Sequence, residues 1–350
     1  MAKYYVEVIF LNRRPNCAIG IRNSSYFRSN GRQDTFTFRN NGFTIEAERS
    51  CSYSDGSILN SSQNSLNGQI LKGLLVYYAL ASDFPKLKNI SILRKRQRRF
   101  GDFVYTETLG FQQPLTPGIV RNLHLSQADV NEILEETDKG IAVRTALSYW
   151  LKGVNSQDRY FKFDRYWKAF DRLLLHQGNT TREREGIQAM KALIRGNAGL
   201  FVKSTAMTNT ASDGYIRKFS WNKLLYKCSK RYTKPKDICR RATEYSDSRA
   251  IRLFQSLVYG PKVQTALGSA GLWTNVVNLF AANTATICDI DIVLLLSLSY
   301  TYYLRCKLFH GEVPDSTFKK PTDEDWEIEE LGKLLEIVVF ELLEHNHIFR

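Results

Sequence analysis

Asp289-Ile-Asp291-Ile-Val-Leu-Leu-Leu-Ser-Leu-Ser-Tyr300-Thr-Tyr-Tyr-Leu-Arg305-Cys306-Lys307-Leu-Phe-His310-Gly311 runs from two aspartates through an almost wholly apolar segment into an arginine and a histidine. Its uninterrupted apolar part is too short, and its ends too polar, for a bilayer span; it suits a helix buried in a folded core. Asp289 or Asp291 is expected to cap the start or to partner the helix dipole there, and Gly311 followed by Pro314 to end it. Arg305 and His310 then fall on the last turns, where the C-terminal end of the dipole favours a protonated imidazole.

An arginine and a histidine so placed suit RNA cleavage through the 2′-hydroxyl. That reaction needs a proton acceptor, a proton donor and a cation against the charge developing on phosphorus, and no metal. Histidine fills either proton role because its reference pKa lies near neutrality. Arginine offers a permanently charged fork matched to phosphate oxygens. Side chains five positions apart on a helix point about 140° away from each other. A second copy of the motif, brought in across a dimer interface, would complete the site.

The segment Arg305-Cys-Lys-Leu-Phe-His310-Gly311 resembles the Arg-x(4–6)-His signature of HEPN ribonucleases, helical proteins that cleave RNA without metal and commonly build their site from two facing motifs in a dimer. Upstream, Asp158-Arg-Tyr-Phe-Lys-Phe-Asp-Arg-Tyr-Trp-Lys-Ala-Phe-Asp171-Arg-Leu-Leu resembles the first long HEPN helix, aromatic-rich with a trailing acidic residue. The resemblance puts Arg305 and His310 in the catalytic positions, Asp171 in the acidic position that orients them, and Lys307 beside them for RNA. It further implies no cofactor, a homodimer through the HEPN domain, and a setting in prokaryotic antiviral defence or toxin systems that cut tRNA or other RNA. Cys306 stands where many active members carry asparagine or another polar residue. A second reading therefore stays open: a catalytically silent HEPN protein that binds RNA, nucleotides or a protein partner. A DNA-binding regulator is a third.

Charge agrees with a polyanionic partner. The formal net charge is +14 and the pI about 9.4. Arg94, Lys95, Arg96, Arg98 and Arg99 crowd into one short run, and a second basic stretch, Lys218 to Arg241, includes Lys227, Lys230 and Arg231 with Trp221, Tyr226 and Tyr232 interleaved. Cations neutralise phosphates and aromatics stack on unpaired bases, so both stretches are candidate RNA-binding surfaces. The six cysteines show neither zinc-knuckle nor disulfide-framework spacing, which fits a reducing cytoplasm. The N-terminus lacks the apolar core of a signal peptide. There is no Gly-x-x-x-x-Gly-Lys-Ser/Thr phosphate loop, Gly-x-Ser-x-Gly elbow or His-Glu-x-x-His metal helix.

Outward from the motif, the chain reads as α+β: a small strand-rich α+β domain over residues 1–120, then a larger all-α, HEPN-like bundle over 121–350 with a helical insertion at about 178–288. Tyr4–Phe10, Asp34–Phe38, Phe43–Ala47 and Phe103–Thr106 have the β-branched and aromatic alternation of strands, and Asn40-Asn-Gly42 is a hairpin signal. Ser50–Ser65 reads as a loop leading into a helix over Leu66–Ala81. The Pro- and Gly-containing stretch 112–118 is the expected boundary. Beyond it, Ser126-Gln-Ala-Asp129 is a helix-capping signal, Tyr160, Phe163, Trp167, Phe170 and Leu174 line one helix face, and His176 reads as helix-terminal. Further helices are expected over Glu183–Ile194, Lys236–Tyr259 and Leu272–Ala282. A last amphipathic helix, Asp325–His345, would complete a bundle or a dimer seam. The N-terminal domain is the candidate site for a regulatory protein or ligand that restrains the nuclease.

Overall fold

Along β1 (Ala2–Phe10) the residues Tyr4, Val6, Val8 and Phe10 are buried and those between them are not, the period of a strand with one covered face. The same alternation buries Asp34, Phe36 and Phe38 on β3 (Gln33–Arg39), and Phe43, Ile45, Ala47 and Arg49 on β4 (Gly42–Arg49). With β2 (Gly20–Ser25), β5 (Leu87–Lys95) and β6 (Phe103–Leu109) they form a six-stranded sheet in the order β2-β3-β4-β1-β5-β6, every neighbouring pair antiparallel. The computed structural model describes residues 2–11, 20–26, 31–50, 58–60, 63–80, 85–95, 103–109, 123–221, 224, 239–240, 243–282, 286–309 and 323–349. Most of the expected Ser50–Ser65 loop and the whole 112–118 stretch lie outside them.

Asn40 and Asn41 make the tight turn between β3 and β4, with Arg39 opposite Gly42. Gly42 is needed twice over: its φ is +156°, and a Cβ there would lie 1.9 Å from the Val8 carbonyl oxygen of β1. Helix α1 (Ser65–Leu80) covers the apolar face of the sheet. The Tyr77 ring stacks on Phe10 at 4.2 Å between centroids while its hydroxyl donates to the Asn40 carbonyl at 2.8 Å. At Gly73 a Cβ would meet the Phe43 ring at 2.4 Å, so the glycine permits the close approach of helix to sheet.

The compact units do not part near residue 120. One comprises Met1–Glu183 with Leu342–Arg350, the other Arg184–Glu341. The sheet thus shares its unit with α2 (Gln127–Leu134), α3 (Asp138–Val154) and α4 (Arg159–Gln177), and the physical reason is a buried polar junction. Lys72 of α1, 5% exposed, donates to the carbonyls of Ser25 (2.6 Å) and Leu134 (2.8 Å) and pairs with Glu136 at 2.7 Å. Ser24 donates to the same Leu134 carbonyl at 2.6 Å. These bonds join β2, α1 and the end of α2, leaving no seam for a domain boundary there. Ser126 and Asp129 form the expected capping box at the start of α2. On α4, Phe163, Trp167, Phe170 and Leu174 are buried as expected, joined by Tyr166 and Leu173, while Tyr160 is half-buried. His176 is in the last turn, its ring 6.3 Å from that of Phe349.

Among its described residues the second unit has helices and no strand. Its helices are α5 (Glu183–Gly196), α6 (Val202–Asn209), α7 (Asp213–Arg217), α8 (Ser248–Val258), α9 (Pro261–Ser269) and α10 (Trp273–Ala282), followed by the motif helix and α13 (Asp323–Glu344). The motif helix is α11 (Asp289–Leu294), a π-helical turn (Leu295–Tyr300) and α12 (Thr301–Phe309). The segment expected as an insertion is therefore the packing partner of the motif helix within one unit. On α13 the stripe Ile328, Leu331, Leu335, Val338, Val339 and Leu342 is buried within the chain and so is not an open dimer seam. No helix among the described residues is long and apolar enough to cross a membrane.

Candidate functional site

The apolar body of the motif helix is buried from Ile290 to Leu304, including Ile292, Val293, Leu295, Leu298 and Tyr300. Burial then gives way at the C-terminal end, where Arg305, Cys306 and Lys307 are half-buried. The Lys307 Nζ stands 5.3 Å from the centre of the Tyr303 ring. His310 and Gly311, with the expected helix stop, lie outside the described residues.

Between the buried body and this end, the helix widens into its π turn. Thr301 donates its backbone N–H to the Leu296 carbonyl, five residues back, and its Oγ1 to the same oxygen at 2.8 Å. Ser297 Oγ donates to the Val293 carbonyl at 2.6 Å. Such turns rotate the C-terminal part of a helix relative to its N-terminal part and are frequent at functional sites. Side chains from elsewhere in the unit hold this one. The Tyr300 hydroxyl donates to buried Glu327 at 2.9 Å and accepts from the Ser220 backbone at 2.9 Å. Burial, followed by the negative charge of Glu327, pushes the Tyr300 phenol far above its ordinary value, so it remains a hydrogen-bond donor. Ser299 is held by Lys191 Nζ (3.1 Å) and by the Tyr245 hydroxyl (2.6 Å). Lys191, 3% exposed, also binds Glu244 at 2.5 Å.

Asp289 and Asp291 do not cap the helix. The N-cap is Cys288, which makes no side-chain capping bond. Asp291 instead accepts from Arg195 (Nε 3.1 Å, Nη2 2.9 Å) and from the backbone and hydroxyl of Ser246 (2.6 and 2.8 Å). Asp289 pairs at 2.6 Å with Arg249, whose guanidinium is also gripped by Asp247. Distant cations were available to both carboxylates, and a charge-assisted bond outweighs a neutral cap. Both still occupy the first turn, where the dipole favours them.

The expected site residues are placed unevenly. Arg305 and Lys307 belong to the second unit, and Asp171, half-buried on α4, to the first. Arg94 is half-buried on β5, opposite Tyr4 and Tyr105 of its neighbours, and Lys95 ends that strand. Arg96, Arg98, Arg99, Lys227, Lys230 and Arg231 lie outside the described residues. Trp221, read beside the second basic stretch as a stacking aromatic, is 2% exposed and donates its Nε1–H to the Ile216 carbonyl at 2.6 Å, so it is core. Among the described residues no group of three or more His, Cys, Asp or Glu is arranged to hold a metal. The supports of the π turn, Lys191, Tyr245, Ser220 and Glu327, carried no local signal, because each meets its partner only through the tertiary fold.

Compared with protein-family models, with curated proteins and with solved structures, the chain shows no match.

Proposed function

We propose that this chain is a HEPN-type endoribonuclease that cuts RNA by attack of the 2′-hydroxyl on the adjacent phosphate, without a metal ion. The observation that carries the reading is the motif helix: its body is buried, and its Arg-x-x-x-x-His end begins where burial gives way at Arg305. In this reading His310 is the general acid or base, and Arg305 holds the scissile phosphate and meets the charge of the transition state. Two chains pair their motif helices to complete one site. The net charge of +14 supports an RNA substrate, tRNA or another RNA, and the biological setting is prokaryotic defence or a toxin system acting in the cytoplasm. A regulatory protein or ligand acts through the N-terminal sheet region.

Incubation of wild-type and His310→Ala protein with total tRNA and a labelled single strand, in excess EDTA, tests this. Cutting by the wild type alone, leaving cyclic phosphate or 3′-phosphate ends, is expected. Equal RNA binding without cutting by either protein would favour the silent HEPN scaffold, the reading to which Cys306 points.

A further inference from the structure

Helix α4 has two faces, and the buried aromatic stripe occupies only one. On the opposite side Phe161, Arg165, Lys168 and Arg172 succeed one another at intervals of four, three and four, which aligns them along about 16 Å of helix. Phe161 is 38% exposed. The Arg165 guanidinium carbon lies 4.4 Å from the Phe161 ring centre and 5.7 Å from that of Tyr149 on α3, so the cation lies beside two aromatic rings. Among the described residues no acceptor is within hydrogen-bond reach of Arg165 Nε; Asp164 Oδ2 stands 3.7 Å away, an ion pair only. Asp164 is bonded more closely by Lys168, at 2.9 Å. Arg165, Lys168 and Arg172 against Asp164 and Asp171 of the same helix leave a net charge of +1 beside an exposed ring.

We propose that this face of α4 binds single-stranded RNA, an unpaired base stacking on Phe161 against the Arg165 guanidinium while Lys168 and Arg172 track the adjoining phosphates. Charge complementarity selects a polyanion. The exposed ring selects one with unpaired bases, since a base inside a duplex cannot offer its face. A protein partner's acidic peptide would match the cations but leave the ring without a planar partner. The choice of RNA over DNA rests on the ribonuclease reading above; the choice of a single strand does not.

The test is fluorescence anisotropy with a 2′-O-methylated oligouridine, which lacks the attacking hydroxyl and so reports binding whether or not the protein cuts. Phe161→Leu is expected to weaken binding roughly 5- to 100-fold and Phe161→Tyr to leave it close to wild type, because stacking needs a ring and not merely an apolar surface. Replacing Lys168 and Arg172 together by Gln should reduce the slope of log affinity against log salt by about 1.4, at ~0.7 for each phosphate that is no longer neutralised. Phe161 is exposed and the side chains of Lys168 and Arg165 are 40% and 22% exposed, so thermal melts check the folding of every variant. Equal affinity of wild type and Phe161→Leu, an unchanged salt slope, or tighter binding of a duplex of the same length would overturn the proposal. Preference for the deoxy strand would overturn the choice of RNA. Binding that obeys these expectations in a protein that never cuts RNA would leave this surface standing and remove the nuclease reading.

Discussion

Replacing Asp247 is expected to loosen the start of the motif helix. The carboxylate is fully buried and receives four hydrogen bonds: from Arg249 Nε (3.0 Å) and Nη2 (2.9 Å), from the Arg249 backbone (2.8 Å) and from the Cys288 backbone (2.7 Å). Asp247→Ala deletes all of them. Arg249 keeps Asp289 at 2.6 Å and the carbonyls of Thr208 and Ala211, so it is not stranded, but the N-cap of α8 and the tether on Cys288 are gone. Removing one partner of a buried ion pair costs about 3–5 kcal/mol. The retained Asp289 puts the expected loss near the lower end, about 3 kcal/mol. Asp247→Asn keeps an acceptor for the backbone and loses the charge, so about half of that is expected. The pH dependence has a definite sign. Burial acts to raise the Asp247 pKa, but hydrogen bonds from Arg249 and the Cys288 and Arg249 backbones, with the charge of Arg249, outweigh it and hold the group below its ordinary value. The unfolded chain therefore takes up the proton first as pH falls. The stabilisation is present in full above about pH 4 and is lost below it, so wild type and Asp247→Asn should converge in acid. Hydrogen exchange read on peptides covering 246–258 and 287–296 measures the local effect. A change under about 1 kcal/mol for Asp247→Ala, or equal effects of Ala and Asn, would refute the reasoning.

Lys72 runs the other way. Burial first, and then the charge of Arg144, lower its pKa to about 8, overcoming the opposing Glu136 contact. Below that value both folded and unfolded states are protonated, and between about pH 8 and 10.5 only the unfolded chain is, so stability should rise across that window by up to about 3 kcal/mol. In Lys72→Met, urea unfolding should show no such rise. Tyr300→Phe removes the donor to buried Glu327, and a loss of about 1–3 kcal/mol is expected in urea unfolding. On the ribonuclease reading proposed above, in which Arg305 follows the π turn, RNA cleavage by this variant should fall more than RNA binding. Gly42→Ala should cost about 3 kcal/mol or more, since a methyl group cannot sit 1.9 Å from the Val8 oxygen without parting β4 from β1; circular dichroism melts would detect it, and a melt within a few degrees of wild type would contradict it.

Where the information was local, the sequence determined most strands and helix faces, although the one helix expected over Lys236–Tyr259 is interrupted before α8, which begins at Ser248 after an extended Asp247. Alternation placed strands at Tyr4–Phe10, Asp34–Phe38, Phe43–Ala47 and Phe103–Thr106, all within observed strands, because facing a covered sheet requires a period of two whatever lies opposite. Ser126 and Asp129 announced their helix start, and the spacing of Phe163, Trp167, Phe170 and Leu174 announced their buried face, since both depend on neighbours within a turn or two. The arginine and histidine of the candidate site are a sequence pattern within six residues, of which His310 lies outside the described residues. What only the tertiary structure decided depends on partners far along the chain. Strand order puts β1 between β4 and β5, which composition cannot rank, and β2 and β5 carry too little alternation to stand out. The division near residue 183 instead of 120 reflects Lys72 and Ser24 meeting Leu134, and the aspartates at the head of the motif helix found Arg195 and Arg249 where capping was expected. A carboxylate reads alike as a cap or as half of an ion pair until the fold brings a cation within about 3 Å, because the energy that chooses between them resides in the partner.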